Sequence, residues 1–329
     1  MARPEFPRSL LEFQRTFRDE RACFDFIVRS RWPDRDFMCP ACGASKVYAP
    51  QDRLVLICSA CKHIQSATAG TVMEGTRQPL GSWLLAAFLV VTDKRGVSAK
   101  QLQRDLGLKR YEVAYQMLHK LRAAMVNPSR DRLHGRVEVD ESFLGAPVPG
   151  KPGKASILPG GKAIIVGAVE VREWTTKDGE VRTRPGRIRL RHTPTITARD
   201  LIPFVVDAVE PGSTVVTDGY SIYEALPAKG YRHEVEMHTF KRPLKDVLKH
   251  LHLVFSNLKA WIAGTFHGSV SDKHLQAYLN EFTFRFNRRD NLFAAFQTVL
   301  GIAGRVKGPT KAGLYAHGPV QYTHPGRAP

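Results

Sequence analysis

The sequence predicts a mixed α/β (α+β) chain built in parts, and three observations predict it. Four cysteines fall at metal-ligand spacing between 39 and 61. A helical pattern follows over 80 to 126. From 136 to about 240, strand-like runs dominate and a single clear helix interrupts them, before helical patterns return from 243 to 300. At 329 residues, 43% of them apolar, the chain can bury more than one sizeable core. The expected division is 1–75 for N-terminal helices and the cysteine cluster, 76–130 for the helical segment, 131–300 for the strand region with its helices, and 301–329 for a basic tail.

Lys and Arg outnumber Asp and Glu by 49 to 31, a net charge of +18. An excess of that size calls for a polyanionic partner, and nucleic acid is the commonest. The longest apolar run, "WLLAAFLVV", has nine residues, too few to span a bilayer. The N-terminal stretch "MARPEFPRSLLEFQRTFRDE" is charged and lacks the apolar stretch of a signal peptide, so a cytoplasmic location is expected, with no membrane partner.

Residues 1 to 35 read as one or two short helices. "CPAC" and "CSAC" then give C-x2-C-x15-C-x2-C through Cys39, Cys42, Cys58 and Cys61. Each pair aims two thiolates at one ion, and the intervening hairpin joins the pairs, which is how a tetrahedral zinc site is built. Two disulfides are the competing reading, and a cytoplasmic chain disfavours them. Four thiolates leave no open coordination position, so this Zn2+ is structural. Cys23 is left over and reads as a small buried apolar residue.

"SAKQLQRDLGLKRYEVAYQMLHKLRAAM" (98–125) reads as a helix-turn-helix. Ser98 with Gln101 fits a capping box, Leu102 and Leu106 form an apolar stripe, and Gly107 sits at the turn. In the second helix Val113, Met117 and Leu121 face inward. Lys109, Arg110 and Gln116 are then available to a DNA groove. An ordinary helical hairpin would show the same periodicity; the upstream zinc cluster and the net charge favour DNA contact.

In "VEVDESFLG", Val137, Val139 and Phe143 share one parity while Glu138, Asp140 and Ser142 share the other, the alternation of a half-buried strand. Strands disfavour Asp, so Asp140 needs a reason. "STVVTDG" is a short continuous apolar strand closed by Asp218 and a turn at Gly219, where ligands bind in open α/β sheets. Two Asp on neighbouring strands repel unless a cation lies between them, and such oxygen pairs select Mg2+ or Mn2+. Two ions so placed activate a water or a 3′-hydroxyl and stabilise a leaving oxygen, the chemistry of phosphoryl transfer on a nucleic-acid backbone. The helix "TARDLIPFVVDAV" opens at Thr197, and the loop 145–162, rich in Gly, Pro and Lys, offers Lys151 and Lys154 to phosphates.

The zinc ribbon together with "GVSAKQLQRDLGL", "VEVDESFLG", "KAIIVGAVEV", "VVTDGYSIY", "FSNLKAWIAGTFHG" and "KHLQAYLNEFTFRFNRR" resembles insertion-sequence transposases of the DDE superfamily, in the IS1595 (ISXO2-like) family, over roughly 20 to 292. The resemblance implies an RNase H-like mixed-sheet catalytic domain after the zinc ribbon and helix-turn-helix. It also implies binding of double-stranded DNA at terminal inverted repeats and at target sites, metal-dependent strand cleavage and strand transfer, and a homodimer or higher oligomer on DNA in a bacterial nucleoid. Asp140 and Asp218 match the first two catalytic acids.

The third acid departs from the pattern. Related branches carry a Glu seven residues before a Lys; alignment puts the Lys at Lys259 and His252 at the Glu position. Family members also use Asn in that role, which makes Asn257 the alternative. At about 100° per residue, His252 and Lys259 fall within about 20° on one helical face, whereas Asn257 lies about 140° from His252. Geometry therefore favours His252. Glu281 reads as a packing or ion-pair residue. A neutral third ligand lowers the negative charge of the site, which leaves a weakly active or inactive DNA-binding regulator as the alternative function.

Overall fold

The computed structural model describes residues 6–33, 36–127, 130–145, 163–237, 239, 246–268 and 270–315. Lys151 and Lys154 lie outside the described residues. The chain forms two compact units, one from residues 1–128 and 288–329 and the other from 129–287.

In the first unit, α1 (Leu10–Thr16) and α2 (Glu20–Arg31) open on Ser9 and Asp19, whose side chains accept from the Glu12 and Ala22 amides. Three short strands follow, β1 (Val47–Tyr48), β2 (Leu56–Cys58) and β3 (Ile64–Gln65), paired antiparallel in that order. Helix α3 (Leu80–Thr92) is the apolar run of the sequence and is buried along most of its length. Next come α4 (Ala99–Asp105) and α5 (Tyr111–Ala123), with Gly107 between them at φ +61°. Met117 and Leu121 are buried as expected, and Val113 is half-buried. Only half of the expected capping box forms. The Ser98 hydroxyl accepts from the Gln101 amide at 3.1 Å, but the Gln101 side chain donates to Asp105 instead of returning to Ser98.

The division at residue 300 needs correction. Helix α9 (Leu292–Ala303) belongs to the first unit, because Phe296, fully buried, has ring contacts with Phe13, Phe17, Phe26 and Phe88. The strand region therefore ends at Asn287. Part of the basic tail is also regular, as α10 (Lys311–Tyr315), with Leu314 buried.

The second unit is a five-stranded mixed sheet with helices on both faces. Its strands are β4 (Arg136–Leu144), β5 (Ala163–Thr175), β6 (Val181–Thr193), β7 (Thr214–Thr217) and β8 (Arg232–Val235), in the order β6-β5-β4-β7-β8. β4, β5 and β6 pair antiparallel; β7 and β8 are parallel to β4. This 3-2-1-4-5 order with an antiparallel second strand is the RNase H-like arrangement that the resemblance implied. One face packs Val137, Val139, Val166, Ala168 and Val215 against α6 (Ala198–Ala208). The other packs Ile165, Val169, Ile188 and Leu190 against α7 (Lys249–Phe266) and α8 (Asp272–Phe286).

The sequence alternation suggested one dry and one wet face for β4. In fact β4 is the central strand and both faces are covered, so the "polar" parity points at α7 rather than at water.

Candidate active site and zinc ribbon

The second unit brings Asp140 and Asp218 together through strand register. β4 and β7 pair in parallel from Arg136↔Thr214 to Glu138↔Val216, a constant offset of 78 (214 − 136). Continued by two residues, that offset sets Asp140 level with Asp218. Because β7 stops at Thr217, Asp218 sits just past the end of the strand, exposed, where the sheet opens beside β4. Gly219, at φ +88°, turns the chain away at once, and a side chain there would strike Val235. Asp140 Oδ1 accepts from the Glu141 amide and Asp218 Oδ1 from the Tyr220 amide, which fixes both carboxylates.

Helix α7 delivers the third group. His252 Nε2 lies 3.1 Å from Asp140 Oδ2, with the imidazole 40% and the carboxylate 16% exposed. The hydrogen bond to Asp140 raises the His252 pKa above its ordinary value, against the opposing pull of burial. Lys259 is exposed on the same helix, near enough that its charge works against protonation of His252. Asn257 is exposed on another face of α7, and no contact joins it to either aspartate among the described residues.

Three neighbours that the sequence reading passed over place α7. Glu138, two residues before Asp140 on the same face, is buried; its Oε1 lies 2.6 Å from His250 Nδ1 and its Oε2 accepts from the Leu251 amide at 2.8 Å. His250 Nε2 in turn lies 2.9 Å from Thr183 Oγ1 on β6. A buried carboxylate is thus matched by an imidazole and a free helix-end amide. Directly across the β4–β5 ladder from Asp140 is Gly167. A Cβ on it would come within 2.8 Å of the Phe255 ring and 3.0 Å of Leu251, so glycine lets α7 lie close on the sheet. The pattern Glu138/Asp140 beside His250/His252 was visible in the sequence, but nothing in one sequence pairs the two segments.

On the opposite face of β4, Glu141 accepts a short hydrogen bond from the hydroxyl of Tyr223, which is fully buried. Burial pushes the Glu141 carboxyl up to about 7; the Tyr223 bond pulls the other way, and the charges of Asp140 and Asp218 add to the rise. Burial raises Tyr223 as well, followed by the charge of Glu141, and the charges of Asp140 and Asp218 add to it. Both groups therefore feel the negative field of the aspartate pair.

That field is what a divalent cation relieves. Two carboxylates held by backbone amides at an open sheet end, with an imidazole beside one of them, are the donor types that Mg2+ or Mn2+ takes. Among the described residues the four cysteines alone lie within 4.8 Å of one another as a ready ligand group.

In the first unit the four cysteines converge, all four sulfurs within 4.8 Å of one another, with Cys39 and Cys61 at 3.7 Å and Cys42 and Cys58 at 3.6 Å. Four sulfurs about 2.3 Å from one zinc stand about 3.8 Å apart, so the cluster fits tetrahedral Zn2+. Gly43, at φ +73°, makes the turn behind the first pair. Cys23 is buried elsewhere, in α2, and its thiol pKa is pushed up by burial. Lys109 and Arg110 are exposed at the turn into α5, and Gln116 is half-exposed one turn further on.

Two family comparisons fall on these same two regions. Residues 132–287 match the ISXO2-like transposase domain and residues 18–64 match the transposase zinc-ribbon domain of that family. A search of the curated proteins gives no match. With the ribbon cysteines converged and the two aspartates level at the open end of an RNase H-like sheet, the chain belongs to the ISXO2-like (IS1595) family of DDE transposases.

Proposed function

We propose that this transposase binds the terminal inverted repeats of an insertion sequence and catalyses metal-dependent DNA strand cleavage and strand transfer, with Asp140, Asp218 and His252 as the reacting centre. The observation that carries the reading is two carboxylates level on adjacent parallel strands, with His252 at 3.1 Å from Asp140. Asp140 and Asp218 would hold Mg2+ or Mn2+, which supplies activation of the attacking oxygen and neutralisation of the leaving one. In cleavage, water attacks the phosphorus and the strand's P–O bond breaks, freeing a 3′-hydroxyl. In transfer, that hydroxyl attacks a target phosphodiester, so one ester forms as one breaks and no outside energy source is needed.

The chain's own residues orient these events. His252, tied to Asp140, closes the third side of the site, and Lys259 on the same face meets the DNA backbone. Lys109, Arg110 and Gln116 at the start of α5 enter the groove in the manner of a recognition helix, and Lys151 and Lys154 add phosphate contacts. The protein works as a homodimer or higher oligomer on double-stranded DNA, in the cytoplasm at the nucleoid. Among the described residues no helix is long and apolar enough to cross a membrane.

Cleavage of linear DNA with terminal inverted repeats, with and without Mg2+, tests the reading. Asp140→Asn and Asp218→Asn are expected to abolish cleavage and spare DNA binding, since each removes charge stabilisation worth several kcal/mol. Wild-type cutting by either variant would refute the two-carboxylate site. Tight DNA binding with no cutting by the wild type would instead favour a regulator, the reading that His252 in place of an acid keeps open.

A further inference from the structure

β5 and β6 run on beyond the sheet as a two-stranded ribbon to the turn at 176–180, and its two faces differ in charge. Arg172 pairs directly across the ladder with Arg184, and Trp174 with Arg182. Cross-strand partners and alternate residues share a face, so Arg172, Trp174, Arg182 and Arg184 form one patch. The other face carries Glu173 opposite Thr183 and Thr175 opposite Val181, and it is the side on which Thr183 meets His250.

The cationic patch breaks two rules of sheet construction. Like charges placed directly opposite one another destabilise an antiparallel pair, as Arg172 and Arg184 do here. A large aromatic ring is also left 44% exposed, with the Arg184 guanidinium 5.8 Å from its centroid. The nearby carboxylates balance the charge only in part. Glu180 is taken up by Arg182 at 3.0 Å. Glu170 already accepts from Arg187 at 2.6 Å, and Arg172 reaches the same carboxylate only at 3.7 Å. At the foot of the ribbon the patch runs into an open groove of about 660 Å3 whose lining includes Arg132, His134, Arg172 and Arg187, with Asp131 and Glu210.

We propose that this ribbon face is a second DNA-contacting surface, separate from the α4–α5 segment, which lies along duplex DNA with Arg172, Arg182 and Arg184 on phosphates and Trp174 against the sugar-phosphate edge. A two-stranded ribbon has the width of the major groove, and arginines paired across it supply the positive charge a duplex attracts. A second copy of the chain is a poor occupant, since self-association through this face would set arginine against arginine. The inference rests on the reading that the protein binds DNA.

The test is binding of full-length protein to a fluorescein-labelled 40-base-pair duplex across a salt series, comparing wild type with Arg172→Ala/Arg184→Ala. Each lost phosphate contact removes about one unit from the slope of log K against log salt, so the double variant should lose about two units. Trp174→Ala should weaken binding with the slope unchanged, and Arg172→Lys/Arg184→Lys should keep most of it. A thermal midpoint no lower than wild type and an unchanged zinc content certify the fold. A wild-type slope in the double alanine variant overturns the ribbon surface while DNA binding stands. Failure of the wild type to bind the duplex overturns both. An altered sedimentation coefficient of the DNA-free double variant, with slope intact, would assign the face to a protein interface and overturn the proposal.

Discussion

His252 Nε2 lies 3.1 Å from Asp140 Oδ2, although the two residues are 112 positions apart and sit on different elements. Among the described residues no contact joins Asn257, on the same helix, to either aspartate. His252→Ala is therefore expected to depress cleavage strongly, and Asn257→Ala to leave it near wild type. His252→Glu should keep or raise Mg2+-dependent cutting, while the native imidazole, a softer donor, should make Mn2+ the better ion. Single-turnover cleavage rates with each ion decide the matter: loss of activity in Asn257→Ala alone would rotate the helix away from this assignment.

Glu141 should make the metal-free protein less stable as pH rises. Its folded pKa, about 7, lies above the ordinary 4.5 because of burial, so its contribution is fully present below about pH 4.5 and is lost as pH passes through 7. The penalty at pH 8 is on the order of 3 kcal/mol. Glu141→Gln keeps an acceptor for Tyr223 and removes the charge. Thermal melts in Mg2+-free buffer should show the variant more stable than wild type at pH 8 and the two nearly equal at pH 5; equal melts at both values would rule this out.

Gly167→Ala should cost about 1–3 kcal/mol, the usual penalty for overpacking a full core. The new methyl group meets the Phe255 ring and Leu251 on α7, so it should lift that helix and His252 with it. Cleavage is expected to fall further than the stability loss explains, whereas Thr175→Ala, an exposed change on the same strand, should alter neither.

One zinc per chain should be found by atomic emission. Cys39→Ser should release it and disorder residues 36–75 in hydrogen exchange, because binding energy at a structural zinc is largely folding energy. A metal-free chain that keeps β1 to β3 protected would contradict the zinc assignment.

Phe296→Ala should destabilise the first unit by about 3–5 kcal/mol, the range for emptying a buried ring. Denaturation followed through exchange of α2 and α3 amides reads that loss directly; unchanged protection there would mean that α9 adds little to the core.

The sequence was most legible where function forces a local pattern. The cysteine spacing foretold the ribbon, and an apolar run closed by Asp218 and Gly219 foretold where β7 stops. Asp140 stood out for the same reason, a residue placed against its propensity. What stayed hidden depends on contacts between distant segments. Glu138 reads as the wet side of a strand, and only the strand's central position, with α7 above it, makes it a buried anchor for His250. The 288–300 segment has a plain amphipathic pattern that fits either unit, and long-range packing of Phe296 decides it. Ser98 and Gln101 match a two-way cap by type, yet a nearer partner, Asp105, takes the glutamine.

The aromatic cluster around Phe296 has a consequence for synthesis. The rings of Phe13, Phe17, Phe26 and Phe88 leave the ribosome early, but the ring that packs against all four arrives after the whole 129–287 unit has been made. The first unit therefore cannot close its core on a nascent chain that stops short of α9. An interrupted translation product would carry the zinc ribbon and the α4–α5 segment together with an unfinished aromatic core.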